Sequence, residues 1–359
     1  MQGVEYMNIS ELETPALILD KNIFESNMAR MAELLKGSNM KLRPHYKSNK
    51  CPEIAKIQMA RGASGITCAK LGEAEDLCAA GIENILIGNQ IVQPSKVKRV
   101  GELAKKCYLI ICVDNADNVR ALSEAAVNAG STIHCLVEYE VGMKRCGVDT
   151  YDEFLELAKL IDASEGLVFE GIQAYAGHMA HEHSLEKRIA ETERIEKDVR
   201  KLKKYLEDNG LKVKEVGGGS TGTIEQKPKD TVYTDIQAGS YIFMDNAYDQ
   251  LKLGFKNSLF VLTTVISTKK DRVVTDTGVK SLGMDQGDPV FLGVPEGSEI
   301  SMSEEHGAVY CEHNFKINDK LRYIPGHCCT TVNMFNEIYV VDGEEVVAKW
   351  DITSRGKAQ

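Results

Sequence analysis

Apolar residues gather along this chain in short runs, and between the runs they recur every three to four positions. Such runs read as buried strands and such spacing as amphipathic helices. Thr14–Asp20 reads as a first strand, with Asp20 or Asn22 capping a helix from Ile23 to Leu35. An alternation then sets in. Strand-like runs at 42–46, 65–68, 84–88, 108–113, 133–138, 168–174, 213–216 and 234–237 are separated by helical patterns at 52–61, 71–80, 95–106, 116–129, 151–163 and 184–208. This predicts an α/β protein built on a (β/α)8 barrel of the TIM type, with a doubly wound open sheet as the competitor. The unusual residues favour the barrel. Lys47, Lys70, Asn89-Gln90, Asp114, Glu138 with Arg145, Tyr175 with His178, Gly217–Thr223 and Gly239–Tyr241 each follow a strand in turn, and in a barrel all such loops meet on one face.

Beyond residue 246 the pattern becomes β-rich, with strand candidates at 258–268, 272–275, 289–292, 320–324 and 338–341. Two domains are expected: a barrel over 14–245, and a mainly β domain over 246–359 joined by residues 1–13.

Composition narrows the partners. A formal net charge of −10 gives no electrostatic reason to bind nucleic acid or an anionic membrane. No stretch approaches the ~20 apolar residues that span a bilayer, and the N-terminus carries no targeting pattern. Ten cysteines without a Cys-x-x-Cys pair read as reduced thiols of a cytoplasmic protein.

Three constellations carry chemistry. Lys41–Tyr46 reads as a short buried strand delivering Lys47 into an enclosed site, where the neighbours Arg43, His45 and Lys50 favour the free amine. After the seventh strand, Gly217 through Gly218, Gly219, Ser220, Thr221, Gly222 and Thr223 offers backbone N–H groups with little side-chain obstruction, as a phosphate monoester requires. Gly239, Ser240 and Tyr241 after the eighth strand converge on the same anion. A lysine facing a phosphate cradle points to pyridoxal 5'-phosphate, with Tyr175 and His178 near its ring and the substrate. Third, in an extended Pro325–Asn333 segment His327 and Cys329 share a face and Cys328 takes the other. An imidazole and a thiolate at that spacing can share a metal ion, zinc foremost and manganese or magnesium as alternatives, with open positions for water or substrate.

In these motifs the chain resembles the D-threonine aldolase and D-serine dehydratase family of fold-type III pyridoxal-phosphate enzymes, which are alanine racemase-like. The likeness runs through Thr14–Ala16, Arg43–Lys47, Gly65–Lys70, Gly142–Gly147, Gly217–Thr223, Gln237–Asp245, Ser303–Gly307 and Pro325–Asn333. It implies a homodimer, a Schiff base at Lys47, cofactor contacts from His45, Tyr175 and the two loops, and a divalent metal on the β domain that reaches the substrate's β-hydroxyl. It also implies a β-hydroxy-D-amino acid as substrate, with His178 or His181 as the base and Arg145 among the catalytic residues. Where the family commonly has His two residues after the lysine, this chain has Asn49. The His-x-Cys pair is the dehydratase form, whereas Thr331–Asn333 and Phe243–Asp245 look aldolase-like. The reading is therefore retro-aldol cleavage to glycine and an aldehyde, ahead of dehydration to a keto acid and ammonia. A racemase and a non-catalytic cofactor-binding protein are the remaining alternatives.

Overall fold

In the computed structural model, which describes residues 7–295 and 297–359, the chain divides into two compact units. One comprises Leu34–Lys47, Ile54–Gly239 and Lys357–Gln359; the other comprises the described residues up to Glu33, Ser48–Glu53 and Ser240–Gly356.

The first unit is an eight-stranded parallel sheet. In chain order its strands are Lys41–Leu42, Ile66–Cys68, Asn84–Ile87, Tyr108–Val113, Ile133–Glu138, Leu167–Ala174, Glu215–Gly218 and Asp235–Ile236. They lie side by side in the cyclic order first, eighth, seventh, down to second, without a switch point. A parallel bridge from His45 to Thr67 joins the first segment to the second, with Thr67 N–H donating to Pro44 O at 2.9 Å. The ring is therefore that of a TIM barrel and not of an open doubly wound sheet. Same-face neighbours Leu86, Ile110, Cys112 and Leu136 form one fully buried cluster, the layered filling that makes such a barrel a packed core.

The connecting helices end where their sequences say they should. Thr150 and Glu153 form a reciprocal capping box at the start of Tyr151–Asp162, satisfying N–H groups that have no partner inside the helix. Gly130 closes Ala116–Ala129 in a left-handed conformation (φ 66°) that costs glycine little. At the strand starts Arg43, almost fully buried, pairs with Glu215 at 3.1 Å and Asp235 at 3.5 Å. This charge is neutralised within the barrel, so Arg43 does not act as the activating neighbour of Lys47 that its place in the sequence suggests.

The second unit is a mainly antiparallel sheet in the order Met7–Asn8, Glu345–Asp351, Glu337–Asp342, Ala16–Asp20, Leu259–Lys269, Arg272–Thr275, Gly307–Tyr310, Glu299–Met302. Val290–Phe291 pairs with Lys320–Ile324, which joins Leu259–Lys269. The strand Ala16–Asp20 is bonded on both sides inside this sheet. Residues 14–33, expected with the barrel, are thus built into the β unit, because the edges Ala16–Asp20 completes belong to strands after residue 246. The expected share of residues 1–6 in that domain lies outside the described residues.

Candidate active site

Pro44 shapes the approach to Lys47. It has no N–H for a ladder, and the strand expected to run to Tyr46 is only Lys41–Leu42, followed by a 3₁₀ turn, Tyr46–Ser48. Lys47 sits on that turn, its N–H donating to His45 Nδ1 at 3.3 Å. Its Nζ lies 5.6 Å from the centroid of the Tyr175 ring, and Arg145 Cζ lies 5.8 Å from the same ring. Arg145 also approaches Glu138 Oε1 at 3.8 Å, and Gln90 Nε2 donates to Glu138 Oε2 at 2.6 Å. Burial pushes the Glu138 carboxyl up, against the pull of Gln90 and Arg145. Groups after the first, third, fifth and sixth strands thus meet at the strand ends, as barrel loops must.

The histidines of the sixth loop are placed differently from one another. His178, on the 3₁₀ turn Gly177–Met179, is exposed and lies 3.3 Å from Glu191 Oε1. Glu191 is held below the usual carboxylate range by Arg194 above all and stays ionised. His181 is partly buried. Asn49 is turned to the backbone, its Oδ1 accepting from Cys51 N–H at 3.0 Å ahead of the helix Pro52–Ala60; its departure from the family's His is a local turn bond.

The glycine loop follows the seventh strand, and packing explains two of its glycines. A Cβ on Gly218 would collide with the Ala174 carbonyl, and one on Gly222 with the Ala180 carbonyl. Ser220, Thr221 and Thr223 are buried, and Ser220 N–H donates to Thr223 Oγ1 at 3.1 Å. Gln237 N–H donates to Gly218 O at 2.9 Å, so the end of the eighth strand runs beside this loop up to Gly239.

Nothing in the sequence pattern singles out Lys227, a buried lysine that the loop rests against. A Cβ on Gly219 would lie 3.5 Å from its Cε. Its Nζ is 3.4 Å from the Tyr233 ring centroid and 3.9 Å from Glu196 Oε2. Burial pulls its ammonium down to about 7, against the opposing effect of Glu196. The Lys47 amine beside the Tyr175 ring, and the buried hydroxyls of the glycine loop, form a donor set that fits pyridoxal phosphate.

In the β unit, His327 is the extended cap residue of a short helix, Cys328–Val332, so the segment is not the extended strand the His-x-Cys spacing suggests. The helical turn nevertheless keeps His327 and Cys329 in contact. Burial alone would lower the His327 imidazole, but hydrogen bonding and charge from Cys329 and Asp285 outweigh it and raise it to about 9. Cys328 is fully buried, with its N–H donating to Asp245 Oδ2 at 2.8 Å. Ser240, expected at the phosphate, has its Oγ 3.8 Å from Cys329 Sγ, and the buried Tyr241 packs edge-on against Phe255. Among the described residues no group of three or more His, Cys, Asp or Glu side chains surrounds a metal position. An adjacent imidazole and thiol fit a divalent ion that keeps open positions.

The chain has known relatives along nearly its whole length. Residues 19–247 match the family described as alanine racemase, N-terminal domain, and residues 258–341 that described as putative serine dehydratase domain. The chain is 38% identical to a D-threonine aldolase of Arthrobacter sp., over 97% of this chain and 94% of that protein. It is 36% identical to a 3-hydroxy-D-aspartate aldolase of Paracoccus denitrificans, over 98% and 94%. The crystal structure of D-threonine aldolase from Filomicrobium marinum is similar throughout, covering 100% of both chains with a TM-score of 0.94 at 35% identity. D-threo-3-hydroxyaspartate dehydratase from Delftia sp. HT23 is further off, at 26% identity and a TM-score of 0.88, over 96% of this chain and 98% of that one. With a barrel of this order, a lysine on the turn that follows its first strand and relatives along nearly its whole length, the chain belongs to the D-threonine aldolase and D-serine dehydratase family of fold-type III pyridoxal-phosphate enzymes.

Proposed function

We propose that this protein is a pyridoxal-phosphate- and divalent-metal-dependent lyase that cleaves β-hydroxy-D-amino acids by a retro-aldol reaction to glycine and an aldehyde. The observation that carries the reading is Lys47 beside the Tyr175 ring, with Arg145 at the same ring. The relatives between 36% and 38% identical are aldolases, and the dehydratase is more distant.

When bound, the cofactor draws electrons from the substrate's Cα, and the metal polarises the β-hydroxyl. Lys47 would hold the cofactor through its amine, with His45 and Tyr175 near the ring. Gly218, Gly219, Ser220, Thr221 and Gly222, with Gly239, Ser240 and Tyr241, would hold its phosphate. His327 and Cys329 would hold the metal. The soft sulfur ligand beside an imidazole favours zinc over manganese or magnesium.

The base acts at the β-hydroxyl, taking its proton as the Cα–Cβ bond breaks; Cα then takes up a proton to give glycine. His178 and His181 are the candidates. Glu191, ionised, accepts from His178 Nε2 and so orients the ring with Nδ1 as the proton acceptor, as a carboxylate does for a catalytic imidazole. The Cys329 ligand keeps dehydration as the second reading, since the family's dehydratases carry that pair.

Most of the proposed cofactor contacts lie on the barrel and both proposed metal ligands on the β unit, and the family resemblance supports a homodimer. All ten cysteines are free thiols, the state a reducing cytoplasm maintains. Among the described residues no helix is long and apolar enough to cross a membrane. Replacing Lys47 by Ala tests the cofactor assignment: the purified variant is expected to lose the visible absorbance of bound cofactor, and retained absorbance would refute the role of Lys47.

A further inference from the structure

The loop Gly283–Asp285 is laced to the segment that carries the proposed metal ligands. His327 N–H donates to Gly283 O at 3.0 Å, and Gly283 N–H donates to Thr331 Oγ1 at 2.9 Å. Thr331 Oγ1 donates to His327 O at 2.7 Å. Gly283 has no room for a side chain, because a Cβ there would run into Thr330 Oγ1. Two segments distant in sequence are thereby held in one register.

Asp285 uses its two oxygens differently. Oδ1 accepts from Thr330 Oγ1 at 2.6 Å, which fixes the carboxylate plane. Oδ2 lies 2.8 Å from His327 Nδ1, 42 residues away. A carboxylate can only accept, so the hydrogen of the neutral imidazole resides on Nδ1. That tautomer leaves the Nε2 lone pair free for a metal shared with Cys329. The Asp285 side chain is half-exposed, so its effect is on orientation more than on folding energy, exposed charge pairs contributing little to stability.

We propose that Asp285 is a positioning residue of the metal centre, its carboxylate fixing the Nδ1–H tautomer and the ring plane of His327 so that Nε2 binds the ion. This rests on the reading of His327 and Cys329 as the metal ligands. Carboxylates in this relation to a ligating imidazole typically contribute about 10- to 100-fold in metal affinity.

The test is zinc(II) affinity of the full chain by chelator competition, in the wild type and in Asp285→Asn, Asp285→Ala, Thr330→Val and Cys329→Ala. The cobalt(II)-substituted spectrum and the melting temperature of the metal-free protein are recorded beside it. Asp285→Asn and Asp285→Ala are expected to weaken zinc binding by about 10- to 100-fold and to shift the cobalt spectrum. Thr330→Val, which keeps the imidazole bond, is expected to shift neither comparably. Asp285→Asn is nearly isosteric, so its metal-free protein should melt within the range of Thr330→Val. Cys329→Ala separates the two ideas. If it binds zinc as the wild type does, the metal reading fails and this inference with it. If it loses zinc while both Asp285 variants bind within twofold of the wild type, the inference alone is overturned. Zinc binding weakened no more by Asp285→Asn than by Thr330→Val, with a matching loss of melting temperature, would reduce Asp285 to a structural link and overturn it as well.

Discussion

Lys227 is the side chain whose surroundings cost the fold most visibly. A lysine almost fully buried against Tyr233 and within 3.9 Å of Glu196 keeps a pKa of about 7, well below the 10.5 of an exposed lysine. Between those values the unfolded chain binds more protons than the folded one, so stability rises with pH across that window. Below pH 7 the lysine is charged in both states and the folded protein bears the full cost. Glu196 keeps other partners, Arg200 at 3.0 Å and Thr231 at 2.7 Å, so removing the lysine does not strand it. Lys227→Met is therefore expected to stabilise the cofactor-free protein at pH 7, on the order of 1–3 kcal/mol for a buried charge replaced by an apolar side chain. The gain should shrink toward pH 10. Urea unfolding at the two pH values checks this, and a gain independent of pH would contradict it.

At the scale of elements, long periodic stretches were legible and short strained ones were not. The helices Tyr151–Asp162 and Ala116–Ala129 fall where periodicity and caps put them, within a residue. The first barrel strand does not, because Pro44, three residues before Lys47, offers no N–H to the ladder and the regular strand stops at Leu42. His327 and Cys329 were recognisable by residue type, but a helical turn holds them together, a conformation that a His-x-Cys spacing does not encode. Asp285 was missed because its partner lies 42 residues away and no local pattern marks it. Strands such as Glu299–Met302 and Gly307–Tyr310 escaped notice because they are short and partly exposed, with weak alternation. The glycine loop was read as a ligand cradle, yet Gly218 and Gly222 are also required by neighbouring carbonyls. Gly222→Ala should push the Thr221–Gln226 segment off Ala180 and displace the buried hydroxyls with it. The expected result is weaker retention of pyridoxal phosphate on dialysis, by about tenfold or more, the scale of one lost hydrogen bond to a charged group. Unchanged retention would separate this segment from the cofactor.

On the scale of the whole molecule, an eight-stranded parallel barrel and a mainly antiparallel β unit each supply one part of the proposed chemistry. The barrel carries the lysine, its aromatic neighbour and the glycine loop; the β unit brings together the imidazole, the thiol and Asp285. The fold sets neither the side chain of the substrate nor the bond that breaks. The retro-aldol reading rests on aldolase relatives along nearly the full chain, and the dehydratase alternative on Cys329. The two predict different products from the same substrates. The most direct test is to incubate the zinc- and cofactor-loaded protein with D-threonine, D-threo-3-hydroxyaspartate and D-serine and to quantify glycine, aldehyde, keto acid and ammonia. Glycine and the matching aldehyde in equal amounts from at least one of the first two are predicted; keto acid and ammonia as the only products, or no turnover with cofactor bound, would contradict the account.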